Sequence, residues 1–438
     1  MKLFSYRYLP LNIYILYTFF VISCLFLQPI YYENLNYLLL LSYIGALLLM
    51  FSLGYISGAK GGLLFQPSMA GKTTLEAAQV YFPVRRILRL LILCSLFFVL
   101  QQWLEVLSSG VGLDLGKLGE NYVKYYEGYE RGRAVVNFSY IVNILSQSVL
   151  TLCLFLGAFY YKELPKYLRW TFLFVVISYI LVNVIVSGKQ KFFGDVVIIA
   201  MFCLFISMAR CRKKIKFKSL VVVGVLSLIV LGVFVEILNQ RYSAAGIGIY
   251  NISEKAHPLM EWDENSFWFE LFGNDYGFAI GVFLWYFTNG IYGLSLSLSL
   301  PFEWTYFVGN SYSLARVVEI ISGDNIAIIE KTYPVRVGVE YGWDLSKWHS
   351  LFSWLASDIT FYGVIVLSFF FGFLYGKLWV YTVSYHNPFS GPLFLNLSLG
   401  LIFSFSNNQL MHGMAGVVTL AILMCGYFYY SLRKDSQS

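Results

Sequence analysis

The feature that most constrains this chain is its supply of membrane-length apolar runs, and the one place where that supply stops. Runs at 11–30, 37–56, 90–107, 136–160, 168–186, 192–208 and 220–238 follow one another closely, and three more lie at 359–383, 392–409 and 417–430. Between the two sets, residues 239–358 are aromatic and amphipathic and carry scattered arginines. A run of about 20 apolar residues crosses a bilayer as a helix. Inside hydrocarbon every backbone N–H and C=O must be paired internally, which leaves helices and closed barrels, and these runs lack the strict alternation of barrel strands. Composition agrees: of 438 residues 58% are hydrophobic and only 13% charged, too apolar for a soluble fold of this size. The expectation is an all-α polytopic membrane protein of about 10–12 transmembrane helices, a single membrane domain over 1–438 whose segment 239–358 holds amphipathic helices. No removable leader is expected, because no short basic stretch and small-residue cleavage site bracket the first run.

The net charge of +7 is distributed as a topology signal. Lys2 and Arg7, the group from Lys60 to Arg89, the group from Lys162 to Arg169, the group from Arg210 to Lys218, and Arg433 with Lys434 all fall on one side of successive runs. By the bias of Lys and Arg toward cytoplasmic loops, that side and both termini are cytoplasmic. The basic clusters then suit membrane lipids with anionic headgroups, and no nucleic-acid partner is expected. The other face receives 28–36, 108–134, 187–191 and 239–358. Within the last segment, 278–300 and 304–321 contribute either two spans or none; interfacial or re-entrant helices are the expectation, and His349 stays on the outer face in both cases.

Several signals fail on spacing. Ala70-Gly71-Lys72-Thr73-Thr74 lacks the glycine a phosphate loop requires five positions before Gly71, where Gln66 stands. The histidines His257, His349, His386 and His412 include no pair at helical ligand spacing, and the six cysteines suggest neither a disulfide framework nor a thiolate site, so no metal and no cofactor is expected.

Other polar residues lack an ordinary explanation. Lys189 and Lys191 occupy a short turn on the face where basic residues are scarce; they either snorkel to headgroups or contact a phosphorylated, membrane-embedded substrate. Arg241, Arg316 and Arg336 invite the second reading, since a guanidinium grips phosphate oxygens bidentately. His349 lies in Lys347-Trp348-His349-Ser350-Leu351-Phe352-Ser353, a short amphipathic segment leading into the run at 359, with Asp358 at the boundary. On one straight helix those two residues stand about 13 Å apart along the axis, so a relay between them needs a bend. Tyr125, Tyr126, Trp262 and Trp268 sit in outer segments that interleave aromatic and polar residues, as either sugar platforms or an interfacial belt.

The stretch His349-Ser350-Leu351-Phe352-Ser353-Trp354-Leu355-Ala356-Ser357-Asp358, followed by Gly363 and a long apolar run, resembles a segment of the O-antigen polymerase and ligase superfamily. The overall plan is similar to its oligosaccharide repeat-unit polymerases (Wzy-type): many spans, one dominant outer segment before the last ones, and polar positions such as Ser404, Ser406, Asn407 and Asn408 in a late helix. Ser350 replaces the asparagine common in the ligase branch, and Lys189 and Lys191 stand where an arginine is frequent.

The resemblance implies a GT-C-like, inverting, metal-independent glycosyltransferase of the bacterial inner membrane. Donor and acceptor are polyprenyl-pyrophosphate-linked oligosaccharides joined on the periplasmic face, with a chain-length regulator as a further partner. It implies pyrophosphate contacts at Lys189, Lys191, Arg241, Arg316 and Arg336, sugar contacts at Tyr125, Tyr126, Trp262 and Trp268, and catalytic roles for His349 and Asp358. Either could take the acceptor proton, and His349 could instead donate to the pyrophosphate. Transfer of glycan to a lipid core by a ligase, and flipping of the lipid-linked unit, are the alternatives. The topology is directly testable: green fluorescent protein fused after Ser438 should fluoresce while alkaline phosphatase at the same place stays inactive, and the opposite pattern would invert the assignment.

Overall fold

The computed structural model describes residues 6–60, 74–108, 119–121, 138–187, 190–211, 217–255, 257–323, 325–384 and 386–435. Among these, nine helices are long and apolar enough to cross a membrane. The helices before residue 245 are α1 (Leu9–Leu27), α2 (Tyr37–Lys60), α3 (Thr74–Ser108), α4 (Phe138–Phe159), α5 (Lys166–Ser187), α6 (Lys191–Cys211) and α7 (Phe217–Ala244), of which the first six contribute spans to the nine. Next come α8 (Ile249–Lys255), α9 (Phe267–Ser297), α10 (Tyr312–Ile321) and α11 (Tyr333–Tyr341), and the chain closes with α12 (Leu351–Val383), α13 (Ser390–Phe403) and α14 (Met414–Asp435). Two three-residue strands, β1 (Ile30–Tyr32) and β2 (Met260–Trp262), pair antiparallel with Tyr31 opposite Glu261, and they mark one end of the bundle.

Helices α2 and α12 make the most extensive contact in the molecule. Its cause is a pair of small residues four apart on each helix, Gly54 with Gly58 and Gly372 with Gly376. A Cβ added at Gly54 would collide with the Phe369 carbonyl, at Gly58 with that of Phe373, and at Gly372 with that of Phe51. Bare glycines therefore let two backbones touch, the device by which apolar helices associate when hydrophobic burial supplies no preference. Residue numbers rise together along the contact, so the two helices run parallel and both begin at the ribbon end.

Helix α12 is two helices in sequence. Thr360 takes φ of 65° and ψ of 164°, a left-handed backbone that a β-branched residue rarely adopts, and its hydroxyl accepts the Gly363 amide at 3.2 Å as the cap of the second half. The break falls where the apolar run begins in the sequence, so the short amphipathic segment and the span meet at an angle rather than as one rod.

Two expectations are corrected. The run 392–409 is not a full span: α13 covers 14 residues, about 21 Å at a helical rise, and is buried without interruption from Ser390 to Leu401. It ends because Ser404 to Asn408 turn the chain, with the Asn408 amide donating to the Asn310 carbonyl at 2.6 Å and its oxygen accepting the Met411 amide. The choice between two spans and none for 278–300 and 304–321 also resolves unevenly. Helix α9 has the length of a span, and Gly281 lies against Pro29 and Trp262, Thr288 donates to the Gln28 side chain, and Tyr292 donates to the Glu33 carbonyl at 2.8 Å. The helix also packs on α1 itself, with the Phe20 ring 5.3 Å from that of Phe287, and on α7 through Phe234 and Tyr242. Residues 304–311 are irregular and α10 is ten residues long, so nothing returns through the bundle there.

Because the α2–α12 contact is backbone on backbone, Gly372→Val has no flexible neighbour to displace. It should cost about 1–3 kcal/mol, read as a lower thermal midpoint in detergent, and an unchanged midpoint would show that these helices separate freely.

Candidate active site

The segment before α12 is fixed by three local devices. Gly342, at φ of 71°, ends α11 with its amide on the Gly338 carbonyl. Asp344 then closes the next turn, accepting the Ser346 amide on Oδ1 at 2.9 Å and the Lys347 amide on its carbonyl at 3.0 Å. Ser350 caps α12 by accepting the Ser353 amide, and the Leu351 amide reaches the Ser404 carbonyl at 2.9 Å. His349 sits between these anchors, only 3% exposed.

Its ring is held from both sides. Nε2 lies 3.2 Å from the Asp344 carbonyl, which only accepts, so Nε2 carries the hydrogen and Nδ1 the lone pair. Nδ1 is enclosed without a hydrogen-bond partner and faces α9 at Gly293, where a Cβ would stand 3.1 Å away. Burial lowers its pKa to about 4, against the opposing pull of the Asp344 carbonyl and charge, so the ring is neutral at pH 7.

His349 lines a cavity of about 520 Å³. Its walls come from α4, α5, α6, the segment 345–349, the start of α12, α13 and the turn 407–416. Lys191 and Asp195 of α6 face it as an ion pair of 2.7 Å, with Lys347, His412, Asn396 and Asn407 as further polar groups and Tyr179, Trp348 and Trp354 as aromatic ones. Lys347 makes no salt bridge among the described residues, though against the effect of burial its charge, with the Ser346 hydrogen bonds, helps hold the Asp344 carboxyl below its usual range; its Nζ lies 6.0 Å from the centre of the Trp285 ring. His412 is held between Tyr312, stacked at 5.8 Å, and Trp354, edge-on at 5.2 Å.

The other expected residues go elsewhere. Asp358 is buried behind the loop that precedes α10, accepting the Gly309 amide at 3.0 Å, the Asn310 amide at 2.8 Å, the Asn310 side chain at 2.6 Å and the Thr305 hydroxyl. That loop contains Tyr306 and Phe307 at positive φ, and the carboxylate ties it down. Asp358 is thus a clamp rather than a relay partner of His349, and it does not line the cavity.

The arginines serve structure too, and none of the three lines the cavity. Arg336 pairs with Glu303 at 3.0 Å and donates to the Pro301 carbonyl at 2.6 Å, Arg316 pairs with Glu319 at 3.3 Å, and Arg241 lies in the last turn of α7. Trp262 packs on Phe278 and Trp268 donates to the Leu27 carbonyl at 2.7 Å, both away from the cavity. Lys189, Tyr125 and Tyr126 lie outside the described residues.

Of the expected residues, His349 and Lys191 line the cavity, which also takes in Asp195, Lys347 and His412. Asp195 had a usable signal, a carboxylate inside the run 192–208 and four residues after Lys191. Lys347 stood in the heptapeptide singled out for its histidine. His412 had no local signal, since only folding brings the turn after α13 to this cavity. Among the described residues no cluster of three His, Cys, Asp or Glu side chains could hold a metal ion. No family model matches the chain, and comparison with curated proteins and with solved structures gives no match either.

The state of His349 can be checked by titration. The unfolded ring takes up its proton near 6.5 and the folded one at about 4, so between these values the unfolded chain binds more protons and stability falls as pH drops. The thermal midpoint in detergent should fall from pH 7 to pH 5, and His349→Gln should flatten that dependence; an equal slope in both proteins would place the proton elsewhere.

Proposed function

We propose that this protein is a membrane glycosyltransferase that polymerises polyprenyl-pyrophosphate-linked oligosaccharide repeat units on the periplasmic face of the bacterial inner membrane. The observation that carries this reading is a cavity in which lysines, amides and aromatic rings converge at the end of an otherwise apolar bundle. Its volume of about 520 Å³ suits the reacting ends of two substrates, with the rest of each glycan and lipid outside.

In such a transfer an acceptor hydroxyl attacks the anomeric carbon of the donor and the polyprenyl pyrophosphate departs. Negative charge grows on the bridging phosphate oxygen, so a fixed cation aimed there lowers the barrier by stabilising the transition state more than the ground state. Lys347 fits that task better than the arginines, because it lines the cavity without a salt bridge to any described residue and they do not line it. Trp348, Trp354 and Tyr179 offer flat apolar faces for pyranose rings beside the amides of Asn396 and Asn407. His349, neutral and with one nitrogen on the Asp344 carbonyl and the other enclosed, is a positioning residue that fixes the turn carrying Lys347.

The test is turnover of a defined polyprenyl-pyrophosphate oligosaccharide by the purified protein with chelator present. A ladder of lengthened lipid-linked glycans is expected, and Lys347→Ala should slow it about 10²-fold. Absence of a ladder from well-folded protein, or transfer only to an added lipid core, would overturn the polymerase reading.

A further inference from the structure

From the lining of the same cavity we infer that Asp195 is the base that receives the acceptor proton, an assignment that rests on the proposed glycosyl transfer. Asp195 is the only carboxylate lining the cavity among the described residues, and the residue is 5% exposed. Its Oδ2 is bound to Lys191 at 2.7 Å, while its Oδ1 is enclosed with no hydrogen-bond partner. A buried acceptor left unsatisfied is costly, the more so when charged, and an incoming donor on the cavity side would satisfy this one. A sugar hydroxyl is such a donor.

The ion pair is poorly explained as a stabilising device. Lys191 is the first residue of α6, at the positive end of the helix dipole, where a cation is disfavoured. The order, with the base four residues before the acid, is the weaker orientation for a helical pair. Both residues are paid for by something other than helix stability, and both face the cavity.

The step balances without further reagents. The acceptor O–H breaks and its proton goes to Asp195 Oδ1, the freed oxygen forms the new bond to the anomeric carbon, and the bond from that carbon to the pyrophosphate oxygen breaks, its electron pair leaving with the polyprenyl pyrophosphate. Lys191 supplies the countercharge of the resting carboxylate, and Lys347, carried by a different element, meets the departing anion.

The experiment uses the full-length protein in lipid nanodiscs, with chain growth followed on the defined polyprenyl-pyrophosphate oligosaccharide and binding followed with polyprenyl pyrophosphate alone. Asp195→Asn should lower kcat by about 10²- to 10⁴-fold and leave polyprenyl pyrophosphate binding within about threefold of the unaltered protein, a split that a merely structural residue would not give. Where Asp195→Asn is not monodisperse, Asp195→Ser decides: added sodium formate should restore its rate at least about tenfold by supplying a mobile carboxylate. Turnover by Asp195→Asn close to that of the unaltered protein, loss of binding in step with turnover, or no rescue by formate would overturn the assignment of Asp195 alone. An unaltered protein that builds no chains would overturn the polymerase reading and this assignment with it.

Discussion

The contact on which this molecule depends is the one where the backbones of α2 and α12 touch across four glycines. Helices that share an apolar solvent with lipid gain little from burying apolar side chains against one another, so close approach and dispersion must select the partner. The parallel alignment that results fixes more than two helices. It sets the direction of α12, and with it the side of the bundle on which the break at Thr360 and the segment 342–350 lie. Helix α13 then packs on α12 through Tyr375 and Phe394, with the Tyr375 hydroxyl 2.8 Å from that of Ser398, and ends at the turn that carries His412. The floor and one wall of the cavity follow from that sequence of contacts.

Polar groups near the ribbon end fall into two kinds. Asp358, Glu319 and Asn408 have their hydrogen-bonding capacity committed to backbone amides and neighbouring side chains, and they hold irregular segments in conformations a loop would not keep unaided. The Asp195 Oδ1, the Asn407 oxygen and the His349 Nδ1 are enclosed and unmet. A buried polar atom without a partner is uncommon in native structures because its desolvation is uncompensated. Others lie elsewhere in the fold, the Asn310 oxygen beside the Asp358 clamp among them, but these three belong to residues that line one cavity.

The division also sets the arginines apart from the cavity. A guanidinium near a membrane surface reads as a phosphate contact in the sequence, yet Arg336 and Arg316 each have a carboxylate within reach once the chain folds, and their charge is spent in fastening loops. A lysine is equally visible in sequence and less suggestive, although Lys347 lines the cavity without a salt bridge to any described residue. The general point is that charge type is local information, whereas its neutralisation is decided by partners 33 residues away, as for Arg336 and Glu303.

By itself the sequence determined that this is a helical membrane protein, where most helices begin and end, and that the segment around His349 differs from its surroundings, because length and apolarity are properties of consecutive residues. It did not determine how α9 packs on α1 and α7, that α13 is a short core helix, or that Asp358 is drawn to the loop before α10 while His349 lines the cavity. Nor did it bring Asp195, Lys347 and His412, from three separate elements, to one cavity. Those outcomes depend on which helices approach one another closely enough for backbones to touch, and that is settled by packing between residues far apart in the chain, which only the tertiary structure contains.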